Sequence, residues 1–246
     1  MTATEIVVVL LAVALAGAAQ AVAGFGLSLL SVPLMSLAIE THDAVLVATM
    51  LGIFTSGAQA VIGRQHIDGP LARRLLVSAA LGVPFGLLLF TRVDEHLLRL
   101  VVGVGVLIAA FLLAVRFTVR DDRRAGDVVA GVLSGALAAS VSTNGPPLVV
   151  IMQAKNLPMR VFRPTINLVF SLSAVMSLVG FLVSREVGGR GVLASLVAAP
   201  AIAIGAVGGH RLQPRVTEEA ARRIVLGLLA VAGASAVAAA VGGIVG

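Results

Sequence analysis

Charge is missing from most of this chain. Marking every Asp, Glu, Lys and Arg leaves eight long uncharged runs, at 6–39, 44–63, 75–91, 100–115, 128–154, 164–184, 191–209 and 224–246. A helix crosses the hydrocarbon core of a bilayer in about 20 residues, with roughly 17 to 25 tolerated. Six of the runs fit one crossing each, once uncharged flanks and the snorkelling stems of Arg are allowed for. Composition leaves little alternative: 59% of residues are hydrophobic and 12% charged, against about 25% charged in a soluble domain. A chain of 246 residues cannot hide that much apolar surface within itself. The expected fold is all-α, a polytopic integral membrane protein whose first partner is the lipid bilayer.

The net charge of +6 would suit nucleic acid, but the 18 cations are 17 Arg and one Lys scattered among short hydrophilic breaks. No aromatic-studded basic face accompanies them, so a nucleic-acid partner is excluded. With no Cys, disulfides and thiolate metal sites are excluded. His42, His66, His96 and His210 lie in or beside loops, too dispersed for a metal site. No cofactor or metal is expected. Trp and Tyr are absent, which leaves Arg to anchor the interfaces. The N-terminus carries Glu5 and no early cation, and its apolar run far exceeds a signal peptide's core, so no cleavable signal is expected.

Two runs are too long for one crossing. Run 6–39 has 34 residues and run 128–154 has 27, roughly 51 and 40 Å of continuous helix. Each contains breakers: Gly24-Phe25-Gly26 and then Pro33 in the first, Ser142-Thr143-Asn144-Gly145-Pro146-Pro147 in the second. Pro lacks an amide donor and Gly relaxes the backbone, so each run is expected to divide. If both double back, segments 64–74, 116–127, 155–163 and 211–223 share a face with 14 cations against 4 on the other. If each crosses once, the split is 9 and 9. Cytoplasmic loops collect Lys and Arg, which favours the hairpins and puts both termini outside the cytoplasm, in a multi-pass protein of the cell membrane.

The whole chain, 1–246, then reads as one transporter-like domain built of two repeats, 1–118 and 127–246, joined by a cytoplasmic loop at 118–126. Each repeat has a broken re-entrant hairpin followed by three crossings. Gly82 and Gly86 before Leu98–Gly103 match Gly205 and Gly209 before Arg222–Gly227. A hairpin plus three crossings is an odd number of passages, so the second repeat must be inverted. Inverted repeats with interrupted helices mark transporters, and the interruptions point to the binding site.

In each hairpin the returning half-helix is expected to begin near the bilayer midplane. Pro33 and the pair Pro146-Pro147 suit a first helical turn, with Ser31 and Asn144 as N-caps upstream. Two helix N-termini meeting from opposite sides would offer free N–H groups and partial positive charge to an anion. The candidate solute-binding residues are therefore Gln20, Gly24, Gly26, Ser28, Ser31 and Pro33 around the first break. Around the second they are Ser142, Thr143, Asn144, Gly145, Pro146, Pro147 and Gln153, together with Gln59, Thr165 and Asn167 from the following crossings. No run holds a carboxylate or a cation, so no proton relay or deep counter-ion is expected. Lys155 and Arg163 flank the second hairpin at its mouth, where they either draw in an anion or serve as positive-inside anchors.

At these motifs the chain resembles the TauE/SafE sulfite exporter family. The resemblance is carried by Gln20–Gly26 running on through Leu27–Leu34, by Gly145-Pro146-Pro147, by Gln153–Pro158, by Phe162–Thr165, and by the loop Gly63–Asp68. It covers nearly the whole chain and implies a transporter of small organic or inorganic anions, typically sulfite, sulfonates or related sulfur oxyanions, and no enzyme. Ser142–Gly145 replaces a more glycine-rich stretch and Pro164 stands where Ala is usual. Two other functions fit less well. An anion channel would use the same half-helix ends. An intramembrane hydrolase would need Ser56 or Ser134 beside a general base, and His210 is poorly placed for either. Small residues such as Gly82 and Gly205 allow close packing within a chain or between copies, which leaves a homo-oligomer open. The topology has a direct check: a reporter fused after Gly246 should lie outside the cytoplasm and one inserted within 118–126 inside it, and both on one side would overturn the hairpin count.

Overall fold

A computed structural model describes residues 1–23, 26–115, 124–212 and 217–245. Among them the chain is helical throughout: α1 (Ala3–Ala23), α2 (Leu27–Met35), α3 (Thr41–Ile62), α4 (Gly69–Arg92), α5 (Glu95–Ala114), α6 (Arg124–Val141), α7 (Gly145–Ala154), α8 (Met159–Val183), α9 (Gly189–Leu212) and α10 (Glu218–Val245). Eight of these helices are long and apolar enough to cross a membrane; α2 and α7, with nine and ten residues, are not. Each of the six shorter runs became one long helix, and each of the two long runs became a long helix followed by a half-length one. Large apolar side chains such as Phe54, Phe85, Ile204 and Val231 stand exposed, as a bundle bathed in lipid requires. The protein is a multi-pass, all-helical membrane protein.

The helix starts follow local chemistry. Thr2 and Glu5 form a reciprocal capping box, Thr2 N donating to Glu5 Oε2 at 3.0 Å and Glu5 N to Thr2 Oγ1 at 3.2 Å. Asp94 caps α5 by accepting from Leu97 N at 2.9 Å, and Asp68 caps α4 by accepting from Leu71 N at 3.0 Å. The first turn of α3 is capped from another helix: Glu95 accepts from Thr41 N at 2.7 Å and from its hydroxyl at 2.5 Å.

The helices gather into two compact units, each drawing on both halves of the chain. One comprises Met1–Ala48, Val93–Val115 and Val187–Gly246. Its main seam joins α1 to α9, where a side chain at Gly205 would land on the Ala14 carbonyl and one at Gly209 would come within 2.6 Å of the Ala18 carbonyl. A second seam joins α5 to α10, closed at one end by Arg222, which donates to the carbonyls of Leu113 at 2.9 Å and Ala114 at 2.7 Å. In this unit Arg190 holds Glu5 at 2.9 Å, Asp43 at 3.9 Å and Glu40 at 4.0 Å. Glu5 precedes run 6–39 and Glu40 follows it, so the run turns back on itself.

The other unit comprises Thr49–Arg92 and Arg116–Glu186. Its main seam joins α4 to α6, where Gly82 faces the Val132 carbonyl, Gly86 the Ala136 carbonyl and Gly135 the Ala79 carbonyl. Phe90 and Phe181 stack at 4.4 Å between α4 and α8. Asp127 and Lys155 bracket run 128–154, and their charges lie 2.9 Å apart, so this run also doubles back. The glycine pairs matched in sequence thus do the same work in separate units: Gly82 and Gly86 admit α6, and Gly205 and Gly209 admit α1.

That close approach gives a paired prediction on one helix. Gly208 has nothing within 4 Å of where a methyl group would go, so Gly208→Ala should leave stability unchanged or raise it by up to about 1 kcal/mol through helix propensity. Gly205→Ala should lower it by about 1–3 kcal/mol or more, because the added carbon meets backbone that must move. Thermal unfolding of the purified protein reads the difference, and equal melting points would contradict the seam.

Candidate functional site

The second helix break, between α6 and α7, is three residues long. At the second break α6 ends at Val141, and Ser142 directly after it adopts φ +55°. Its N–H reaches back to the Ala138 carbonyl at 3.2 Å and the next N–H, of Thr143, to Leu137 at 3.2 Å. This is the left-handed stop that glycine usually supplies, here made by a serine. The Ser142 hydroxyl accepts from Thr49 Oγ1 at 3.1 Å, and the Thr143 hydroxyl donates to the Val141 carbonyl at 3.1 Å. Ser134 donates to the Asn144 carbonyl at 3.1 Å. Asn144 takes the N-cap position of α7, without a side-chain cap bond, and Gly145, Pro146 and Pro147 form the first turn. The prolines stand where a missing N–H costs nothing, while α7 opens with amides that have no helical acceptor.

The first break differs from expectation. The half-helix α2 starts at Leu27 with Gly26 as its N-cap at φ +102°, six residues before Pro33. Ser31 is therefore not an N-cap, and Pro33 is not in the first turn: Ser31 lies inside α2, 1% exposed with its hydroxyl unpartnered, and Pro33 is buried two residues before the helix ends. Glycine's freedom to turn left-handed set the start, ahead of proline's fixed φ. Gln20 is buried near the end of α1, and Ser28 is the second residue of α2. Gly24 lies outside the described residues.

The remaining candidates separate into levels. Gln59, Thr165 and Asn167 meet at the end of α3 and the start of α8. Asn167 Nδ2 donates to the Arg163 carbonyl at 2.8 Å and, at 3.4 Å, to Gln59 Oε1; Thr165 Oγ1 accepts from Asp68 N at 3.0 Å. Thr49, at the second break, stands ten residues before Gln59 on the same helix, about 15 Å along the axis. Gln153 is exposed near the far end of α7. Lys155, one of the two expected mouth cations, is paired with Asp127. Asp127, immediately ahead of run 128–154, is wholly buried in the first turn of α6. Sequence reasoning also missed Thr49, which looks like any helix-gluing threonine. The hydrolase candidate Ser134 spends its hydroxyl on the break.

The left-handed residues allow a test free of packing. A methyl group at Gly26 would find only the Leu29 side chain at 4.0 Å, so Gly26→Ala should cost the roughly 1–2 kcal/mol of left-handed backbone alone. At position 142 both Ala and Gly lose the hydroxyl bond, yet Ser142→Gly should be more stable than Ser142→Ala by about 1 kcal/mol or more. Melting curves that rank them the other way would contradict the geometry.

The chain is 27% identical over 230 residues to the probable sulfite/organosulfonate exporter TauE of Cupriavidus necator, a match covering 88% of this chain and 87% of the relative. No solved structure matches at a significant level. The family model described as sulfite exporter TauE/SafE matches residues 9–236, nearly the full length of an all-helical chain with two doubled-back runs, and the chain belongs to that family.

Proposed function

We propose that this protein moves a small sulfur oxyanion, sulfite or an organosulfonate, across the cytoplasmic membrane by alternating access. The starts of α2 and α7 act as its anion-holding elements. One observation carries the proposal: in a chain of the sulfite exporter family, each long uncharged run turns back and closes with a half-length helix. A half-helix start inside a membrane protein presents oriented N–H groups and partial positive charge. It attracts an anion without the cost of a buried full charge, and it grips lightly enough to let go.

The name of the Cupriavidus necator relative supports the choice of solute. The two repeats, 1–118 and 127–246, are taken as inverted copies, supported by the equivalent work of Gly82 and Gly86 on α6 and of Gly205 and Gly209 on α1. Rocking of inverted halves is the usual route to alternating access. With an odd number of passages per repeat, both termini face away from the cytoplasm, and the Arg-rich loops face into it.

Flux of labelled sulfite in proteoliposomes tests the proposal. Saturable, slow exchange is expected, and an ohmic current through single molecules would replace the transporter with a channel. Pro147→Ala and a bulky residue at Gly145 should each cut flux at least about tenfold, the rate equivalent of 1.4 kcal/mol, while membrane insertion falls far less. Equal losses of flux and folded protein would assign these residues a structural role only.

A further inference from the structure

Asp127 is a carboxylate with no place in the transport scheme above. Its side chain is 1% exposed and divides its oxygens between two cations: Arg74 Nε donates to Oδ2 at 3.1 Å, and Lys155 Nζ lies 2.9 Å from Oδ1. The cations are less enclosed, with side chains 37% and 12% exposed. Both cations thus keep part of their side chains at the surface, while the carboxylate is sealed beneath them. A further cation stands on α8, which packs against both α6 and α7: Arg163 has its Nε buried with no acceptor.

The position matters as much as the charge. Lys155 is the C-cap of α7, so the ion pair ties the foot of that half-helix to the first turn of α6. At its other end α7 is held by the hydroxyl bonds around Ser142 and Asn144. Lys155 is also the single lysine among 18 cations. Arg grips a carboxylate through a rigid planar fork, whereas an ammonium is a compact point charge that can exchange one oxygen for another. The O–S–O edge of a sulfonate or sulfite offers two oxygens in nearly the spread of a carboxylate.

We propose that Arg74 and Lys155 form a small-oxyanion site that the Asp127 carboxylate occupies as a tethered competitor. An incoming sulfonate or sulfite displaces the carboxylate and releases the foot of α7. The choice of anion rests on the transporter reading; the site itself rests on the ion triad. Breaking one arm of a buried ion pair leaves an uncompensated charge, so the carboxylate returns when the solute leaves, and the contact restrains α7 until an anion is present.

The test is titration of the purified full-length protein with ethanesulfonate by calorimetry at low salt. Asp127→Asn, which removes the competitor's charge and keeps its shape, should tighten binding at least about tenfold, a change of 1.4 kcal/mol. That gain should vanish in the double variant Asp127→Asn, Lys155→Gln. Unchanged affinity in a folded Asp127→Asn protein, or a gain that survives loss of Lys155, overturns the proposal. Should Asp127→Asn fail to fold, Arg74→Gln leaves a neutral Asp–Lys pair and should weaken binding about tenfold; unchanged affinity there overturns it equally. Sulfite flux by the unaltered protein separates the two readings. Flux without the Asp127→Asn gain removes the site and spares the transporter, and the gain without flux does the reverse.

Discussion

Helical backbone can be abandoned inside a hydrocarbon layer only where the orphaned amides and carbonyls find other partners. Every feature of the second break answers to that demand. Ser142 and Thr143 return their N–H groups to α6, the Thr143 hydroxyl takes the Val141 carbonyl, and Ser134 takes the carbonyl of Asn144. Two prolines then occupy positions whose N–H would otherwise add to the deficit. What is left over is a small set of donors at the start of α7, the remainder on which the proposed function draws. Polar hydroxyls in the break repair the backbone, and in the proposed function the donors left over are what the solute meets.

Closing the hairpins needs a different force. Half-length helices have little surface with which to hold their place, and α7 packs chiefly against α6 and α8. Both doubled-back runs are closed by charge at their ends, through Arg190 in one unit and through Asp127 with Lys155 in the other. The long helices need no such help. They interlock through glycines set against carbonyl oxygens, the geometry by which membrane helices gain dispersion contacts when lipid denies them a hydrophobic drive.

Much of this was legible in the residues, for reasons that can be named. Ionised groups are so costly in lipid that their absence marks the eight runs. The second break was readable because Asn144 and Pro146-Pro147 are a cap and a first turn in plain view. At the first break Pro33 misled, since proline is tolerated inside α2 while Gly26, with its positive φ, set the helix start. Thr49 was invisible because one hydroxyl in an apolar run carries no pattern until its partner, Ser142, is brought to it across 93 positions. Asp127 looked like a loop carboxylate among arginines, and only tertiary packing drew it beneath Arg74 and Lys155.

The lone lysine has a practical corollary. Apart from the α-amino group at Met1, the chain owns one primary amine, and it carries no thiol at all. An acylating reagent therefore addresses a single side chain, at the foot of a half-helix. Any cysteine placed elsewhere would be unique, so two orthogonal labels can be set on the native background without first stripping reactive groups away.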